Sequence, residues 1–228
     1  MISSIKVIIP ASGIGSRFGT SKPKQFLDLN GRQILWRTIS VFENMNEVNE
    51  IAVAVPPGFA HEVQNYGFSK VNHIVEGGKS RAHSVFAALQ CISNNTDIVL
   101  IHDGVRPFIT TELAMAVAEA AKTYGAAIAC TQVTDTIKKS TTANKISETL
   151  NRDQLWSVQT PQGFTYDIIM QAYQQAEKDG ILAQVTDDSA LVERLNIPVQ
   201  VVPSSTKNIK ITTMVDLAIA KVLLEEFS

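Results

Sequence analysis

The chain has 228 residues, 45% of them hydrophobic and 18% charged, a balance that can bury a large core and excludes the polar, highly charged composition of a disordered protein. A formal charge of −2 removes the electrostatic footprint of a general nucleic-acid or anionic-membrane binder, so any anion must be held locally. No apolar run approaches the roughly 20 residues needed to span a bilayer, and Cys91 and Cys130, far apart and outside any CxxC pair, indicate neither a zinc ribbon nor a disulfide framework.

The length fits one α/β domain over residues 1–228. Strand-like character begins by Ile5, which leaves no room for a leader, and a reducing cytoplasm is the expected compartment. Continuous apolar runs at 6–9, 51–55, 98–101, 126–129 and 199–202 read as strands buried on both faces, the signature of a mostly parallel sheet flanked by helices. Between them Val85, Ala88, Leu89 and Ile92 keep helical spacing, as do Leu113, Val117, Ala120 and Tyr124; Leu217, Ala220, Leu224 and Phe227 mark a closing helix. Residues 132–158 break the rhythm. Two polar runs, 134–140 and 146–150, flank a Thr141-Thr142-Ala143-Asn144 turn and predict an antiparallel hairpin, too polar on both faces for a core. It is either a solvated excursion or an arm covered by another chain.

The segment after the first strand, Pro10-Ala11-Ser12-Gly13-Ile14-Gly15-Ser16-Arg17-Phe18-Gly19, leads into Lys22-Pro23-Lys24-Gln25. Glycines there let backbone N–H groups approach a phosphate chain, and Arg17, Lys22 and Lys24 add positive charge; the plain alternative is a tight turn with a solvated basic run. Two familiar motifs are excluded. The dinucleotide fingerprint meets Phe18 at its last glycine, with Gly19 one residue late, and the Walker-like Gly78-Lys79-Ser80 has His73 where the first glycine belongs.

Three further stretches carry candidate chemistry. His102-Asp103-Gly104-Val105-Arg106-Pro107 follows a buried strand, where ligands collect in open α/β sheets, and Asp103 is a candidate for Mg²⁺ or, alternatively, a turn cap paired with Arg106. Glu76-Gly77-Gly78-Lys79-Ser80-Arg81 opens a helix and can accept a flat base against its backbone, with the Ser84 hydroxyl beyond it; His83 reads as an ordinary helix-surface histidine. Thr186-Asp187-Asp188 reads as a helix N-cap, and Lys210 as either a second cation for the ligand or a solvent-facing lysine.

Taken in order along nearly the whole chain, these segments, together with Thr160-Pro161-Gln162 and Asn208-Ile209-Lys210-Ile211-Thr212, resemble the 2-C-methyl-D-erythritol 4-phosphate cytidylyltransferases. The resemblance implies a Rossmann-like nucleotidyltransferase domain with 132–158 as a protruding β-arm through which two subunits pair. It implies Mg²⁺-dependent transfer of CMP from CTP to the acceptor phosphate, releasing pyrophosphate in isoprenoid precursor synthesis. By the same resemblance Arg17, Lys24 and Lys210 are the catalytic cations. Ala11, Ser12, Gly13, Gly15, Gly78 and Ser84 line the nucleotide pocket. Asp103, Arg106 and Thr186 serve the acceptor, with Thr136 and Arg152 from a neighbour's arm, and Asp103 faces the metal. Ser12, Phe18 and Gly104-Val105 depart from the family's usual alanine, methionine and Ala-Ala without removing a charge. Ribitol-5-phosphate cytidylyltransferase and a non-catalytic nucleotide-binding regulator are the alternatives.

Overall fold

In the computed structural model the described residues are 2, 4–13 and 22–226. The first half of the chain forms β1 (Ile5–Pro10), a short hairpin of β2 (Asp28–Leu29) and β3 (Arg32–Gln33), α1 (Ile34–Glu43), β4 (Val48–Val55), α2 (Ala60–Gln64), β5 (Val71–Glu76), α3 (Arg81–Leu89) and β6 (Ile98–Ile101). The second half adds α4 (Thr111–Tyr124), β7 (Ala126–Gln132), β8 (Lys138–Ser140), β9 (Ile146–Thr149), β10 (Trp156–Thr165), α5 (Tyr166–Lys178), α6 (Ser189–Glu193), β11 (Gln200–Pro203) and α7 (Met214–Glu226).

Seven strands make one sheet in the order β11-β7-β10-β6-β1-β4-β5. Four of its six pairings are parallel; β10 runs antiparallel to both β6 and β7. The continuous apolar runs have the meaning expected of them. Val7, Ile9 and Leu100 point into a core closed by α1 and α4, while Ile8, Val99 and Ile101 point to the other face, under α3 and α5. At Gly163 of β10 an added Cβ would come within 2.9 Å of Val117 and 3.1 Å of Leu100, so its absence lets α4 lie close on the sheet. A third cluster joins α7 to Leu29, Ile34, Val105 and Phe108. Thr213 and Asp216 cap α7 reciprocally: the Asp216 carboxylate accepts from the Thr213 N–H at 2.8 Å, and the Asp216 N–H donates to Thr213 Oγ1 at 3.2 Å.

Two expectations need correction. The buried stripe of α4 is Ala114, Val117, Ala118 and Ala121; Tyr124 is exposed, so the stripe lies one residue off the spacing read from sequence. Ile92 is buried but lies beyond the end of α3, and Phe227 lies outside the described residues.

β8 and β9 pair antiparallel with every residue exposed, as the polar pattern of the hairpin requires. Its base is tied by Val133 N–H to Leu155 O and by Leu150 N–H to Ile137 O, and Asn144 takes the left-handed turn position at φ 56°. Replacing fully buried Leu100 by alanine is expected to lower unfolding free energy by about 2–5 kcal/mol in urea titration. A loss under about 1 kcal/mol would show that β6 is not the centre of the core.

Candidate functional site

The carboxyl ends of β1, β5 and β6 meet at one end of the sheet, and the loops leaving them are pinned by their own hydrogen bonds. Ala11 N–H donates to Ala54 O at 2.7 Å, and the buried Gln25 amide donates to Ala11 O. Ser12 Oγ lies 2.6 Å from Ser84 Oγ, which also accepts from the Gly78 N–H at 3.1 Å. A Cβ on Gly77 would fall 2.0 Å from Ser12 Cβ, and one on Gly78 2.5 Å from His83 Cβ, so the paired glycines are what let these two loops and α3 touch. His83 is half-buried, with Nδ1 2.8 Å from Ser80 Oγ. A cleft of about 640 Å³ opens here, lined by Ala11, Ser12, Gly13, Lys24, Gly77 and Gly78 among others.

A second cavity, of about 450 Å³, lies beside it, lined by Arg106, Gln162, Thr186, Asp187 and Ser189 among others. Among the described residues, only Arg81, Asp103 and Lys210 line both cavities.

Asp103 is the centre of that junction. It is buried, with Oδ1 2.9 Å from Arg81 Nε and Oδ2 2.8 Å from Lys210 Nζ and 3.8 Å from Arg106 Nε. Burial alone would raise its pKa, but Arg81, then Lys210 and Arg106, outweigh that and hold the carboxyl far below the usual range. The turn-cap alternative for Asp103 therefore gives way to a buried ion cluster. Nor is Arg106 a surface partner: it is 8% exposed and donates from Nη1 to Asn208 O at 2.7 Å. Lys210, 40% exposed along its side chain, reaches Asp103 and both cavities, so it is not simply a solvent-facing lysine.

Sequence reasoning missed what stands behind this cluster. Arg81 Nη1 lies 2.8 Å from Oδ2 of Asp188, which is fully buried and whose Oδ1 accepts a hydrogen bond from Tyr173 OH. Burial would lower the Arg81 pKa, yet Asp188 and Asp103 raise it above its ordinary value. Thr186-Asp187-Asp188 thus does more than cap a helix. Its position is fixed by Gln162, whose Oε1 accepts from the backbone N–H groups of Asp188 and Ser189, both at 3.0 Å. The signal in the sequence was Arg81 at the first turn of a helix opened by two glycines, but its carboxylate partners lie 22 and 107 positions away.

Of the other expected site residues, Gly15 and Arg17 lie outside the described residues. Thr136 and Arg152 are exposed on the arm, Arg152 donating to Thr134 O at 2.8 Å, and neither lines either of these two cavities. No group of three or more His, Cys, Asp or Glu side chains suited to a metal occurs among the described residues. Asp103 is the one acidic side chain among the described residues lining the larger cleft, a donor set that fits a hard cation arriving with most of its own oxygen ligands, and not a resident metal.

Doubly wound topology, glycine turns and cations converging at the carboxyl ends of the strands define an α/β nucleotidyltransferase fold. The family model for 2-C-methyl-D-erythritol 4-phosphate cytidylyltransferase (IspD) matches residues 5–226. Proteins of that name from Alkaliphilus oremlandii and Syntrophus aciditrophicus are 44% and 41% identical to this chain, covering 98% and 99% of it and 96% and 98% of themselves. Among solved structures, a 4-diphosphocytidyl-2C-methyl-D-erythritol synthase from Anaerococcus prevotii superposes with a TM-score of 0.85 at 30% identity, covering 97% of this chain and 96% of that one. The chain belongs to the 2-C-methyl-D-erythritol 4-phosphate cytidylyltransferase family.

One pH effect follows from His102, fully buried beside Asp103 with Nε2 3.0 Å from Arg106 O and Nδ1 3.1 Å from Thr160 Oγ1. Burial pushes its pKa down to about 4, from 6.5. Between those values the unfolded chain binds the proton and the folded chain does not, so stability falls as pH falls through this window. Urea unfolding at pH 7 and pH 4.5 is expected to differ by on the order of 2 to 3 kcal/mol, with a flatter profile for His102→Gln. Equal pH dependence in both proteins would refute the assignment.

Proposed function

We infer that this chain transfers CMP from CTP to 2-C-methyl-D-erythritol 4-phosphate, giving 4-diphosphocytidyl-2-C-methyl-D-erythritol and pyrophosphate in the non-mevalonate route to isoprenoid precursors. Family membership supports the reaction. The observation that carries the reading physically is the meeting of two cavities at Asp103, Arg81 and Lys210. The larger cleft takes the nucleotide, its base against the Gly78 turn and the Ala11–Gly13 loop. The smaller takes the polyol phosphate beside Arg106 and Thr186.

Transfer requires two anions to approach while negative charge grows at the α-phosphate, so cations do most of the work. Lys24 lines the nucleotide side, and Lys210, at the junction, reaches the α-phosphate and the acceptor phosphate alike. Arg17 belongs to the same group by its place in the glycine-rich loop. Arg106 offers a planar fork that suits the acceptor phosphate. No general base is needed, because a phosphate monoester has its second pKa near about 6 and presents an ionised oxygen at neutral pH. His102 lines neither cavity, and both Asp103 oxygens already face cations.

Mg²⁺ would be held mainly by the oxygens of the triphosphate and by water, with Asp103 offering a lone pair beside those that face Arg81 and Lys210. When bound it neutralises charge on the triphosphate and on the departing pyrophosphate. The exposed strands of the arm support a homodimer in which each arm crosses to the other subunit, bringing Thr136 and Arg152 to the acceptor cavity there. A cytoplasmic setting agrees with two free cysteines, and no helix among the described residues is long and apolar enough to cross a membrane.

Purified protein given CTP, Mg²⁺ and methylerythritol phosphate should release pyrophosphate, and Lys210→Ala should slow turnover by about 100- to 1,000-fold with an unchanged circular dichroism spectrum. Faster turnover with ribitol 5-phosphate would replace the acceptor; CTP binding without pyrophosphate release from any acceptor would make the protein a regulator. For the arm, mixing Arg152→Ala with Lys210→Ala subunits should restore part of the activity, because one hybrid site regains both groups. No recovery despite proven subunit exchange would place each site within one chain.

A further inference from the structure

Arg81 lines both cavities, yet the ion pairs it makes in the structure are to two carboxylates of the protein itself. It is the first residue of α3, three positions after Gly78 in the turn that borders the nucleotide cleft. From there Nε donates to Asp103 Oδ1 at 2.9 Å and Nη1 forms an ion pair with Asp188 Oδ2 at 2.8 Å, so the guanidinium faces a carboxylate on each side. Its two partners come from separate elements, one at the junction of the cavities and one behind the acceptor cavity. Asp103 stands at the end of β6, with Lys210 on its other oxygen. Asp188 lies in the segment whose neighbours Thr186, Asp187 and Ser189 line the acceptor cavity.

We propose that Arg81 is a positioning residue for the transfer: its fork ties Asp103 to Asp188 and so sets the spacing between the nucleotide cleft and the wall of the acceptor cavity. The proposal deepens the cytidylyltransferase reading and rests on it. An ammonium group is a compact point charge on a flexible stem and cannot hold two carboxylates from separate elements as a planar guanidinium does. Asp188 is fully buried, and its Oδ1 is engaged by Tyr173, so the outer end of the strut is anchored in the core under α5. Gln162 locks the same segment through two backbone N–H groups, which confines any shift caused by losing Arg81 to the face between the cavities. With Arg81 occupying Oδ1, Lys210 needs only Oδ2, and its amine stays at the junction where both phosphates arrive.

Displacement of one reactant by about 1 Å costs on the order of 100-fold in rate without abolishing binding. The test compares wild-type protein, Arg81→Lys, Asp188→Asn and the double variant, measuring melting temperature, KM for CTP, KM for methylerythritol phosphate, and kcat per folded molecule. Arg81→Lys is expected to keep its KM for CTP within about threefold while kcat falls about 100-fold. Asp188→Asn should reproduce that pattern, and the double variant should be no slower than the slower single variant, because the two groups act as one unit.

Near-normal kcat per folded molecule in Arg81→Lys or in Asp188→Asn overturns the proposal, as does a KM for CTP that rises in step with the fall in kcat, which would make Arg81 a nucleotide ligand. Additive losses in the double variant overturn it too. Should Arg81→Lys fail to fold, Asp188→Asn alone decides by the same split between KM and kcat. A wild-type protein that releases no pyrophosphate overturns the cytidylyltransferase reading itself, an outcome the variants do not enter.

Discussion

The site depends on keeping one carboxylate charged inside the protein. Asp103 is 5% exposed, and an isolated ion there would carry a desolvation penalty of several kcal/mol. Three cations from separate parts of the chain remove that penalty: Arg81 from the start of α3, Arg106 from the loop after β6, and Lys210 from the segment before α7. The dependence runs in both directions. Three like charges would not gather at one point without Asp103 between them, and Asp103 would not stay ionised without them.

The fold supplies this cluster through strand direction. β1, β4, β5 and β6 run parallel and deliver their loops to one end, so the Ala11–Gly13 segment after β1 and the paired glycines after β5 line a cleft with Asp103 of the loop after β6. The antiparallel strand β10 serves a different purpose. It brings Thr160 and Gln162 up from the opposite direction: Thr160 Oγ1 accepts from the Asp103 N–H at 3.0 Å, and Gln162 holds the Asp188 segment. One strand therefore sets both ends of the Arg81 strut. Lys210 is steadied from the other side, where Ile211 N–H donates to Val105 O and the Thr213 cap begins α7.

Much of this was legible in the sequence. Apolar runs without alternation reported strands covered on both faces, and the glycine pairs reported close backbone approach, because those features act within a few residues of chain. β10 was not legible, since Pro161 lies in the middle of Gln159-Thr160-Pro161-Gln162 and proline argues against a central strand. The structure accommodates it where the register with β7 breaks between Val158 and Gln162. The role of Asp188 was hidden for another reason. Its pattern, Thr-Asp-Asp before a short helix, satisfies capping rules, while its ion pair with Arg81 depends on tertiary placement that spacing does not encode.

Charge balance gives the reason a site of this kind reaches beyond its own core. At the junction three cations face Asp103 and Asp188, leaving a single net positive charge, whereas the proposed reaction brings together a triphosphate and a phosphate dianion. The remaining neutralisation has to come from groups outside the cluster, and the proposed sources are spread accordingly: Lys24 on the nucleotide side, Arg17 in the glycine-rich loop, Mg²⁺ carried on CTP, and Arg152 on a neighbouring arm. Only Mg²⁺ comes with a reactant; Lys24 already lines the cleft, so spreading the cations over separate elements, and not gathering them at Asp103, is what limits their mutual repulsion in the empty site.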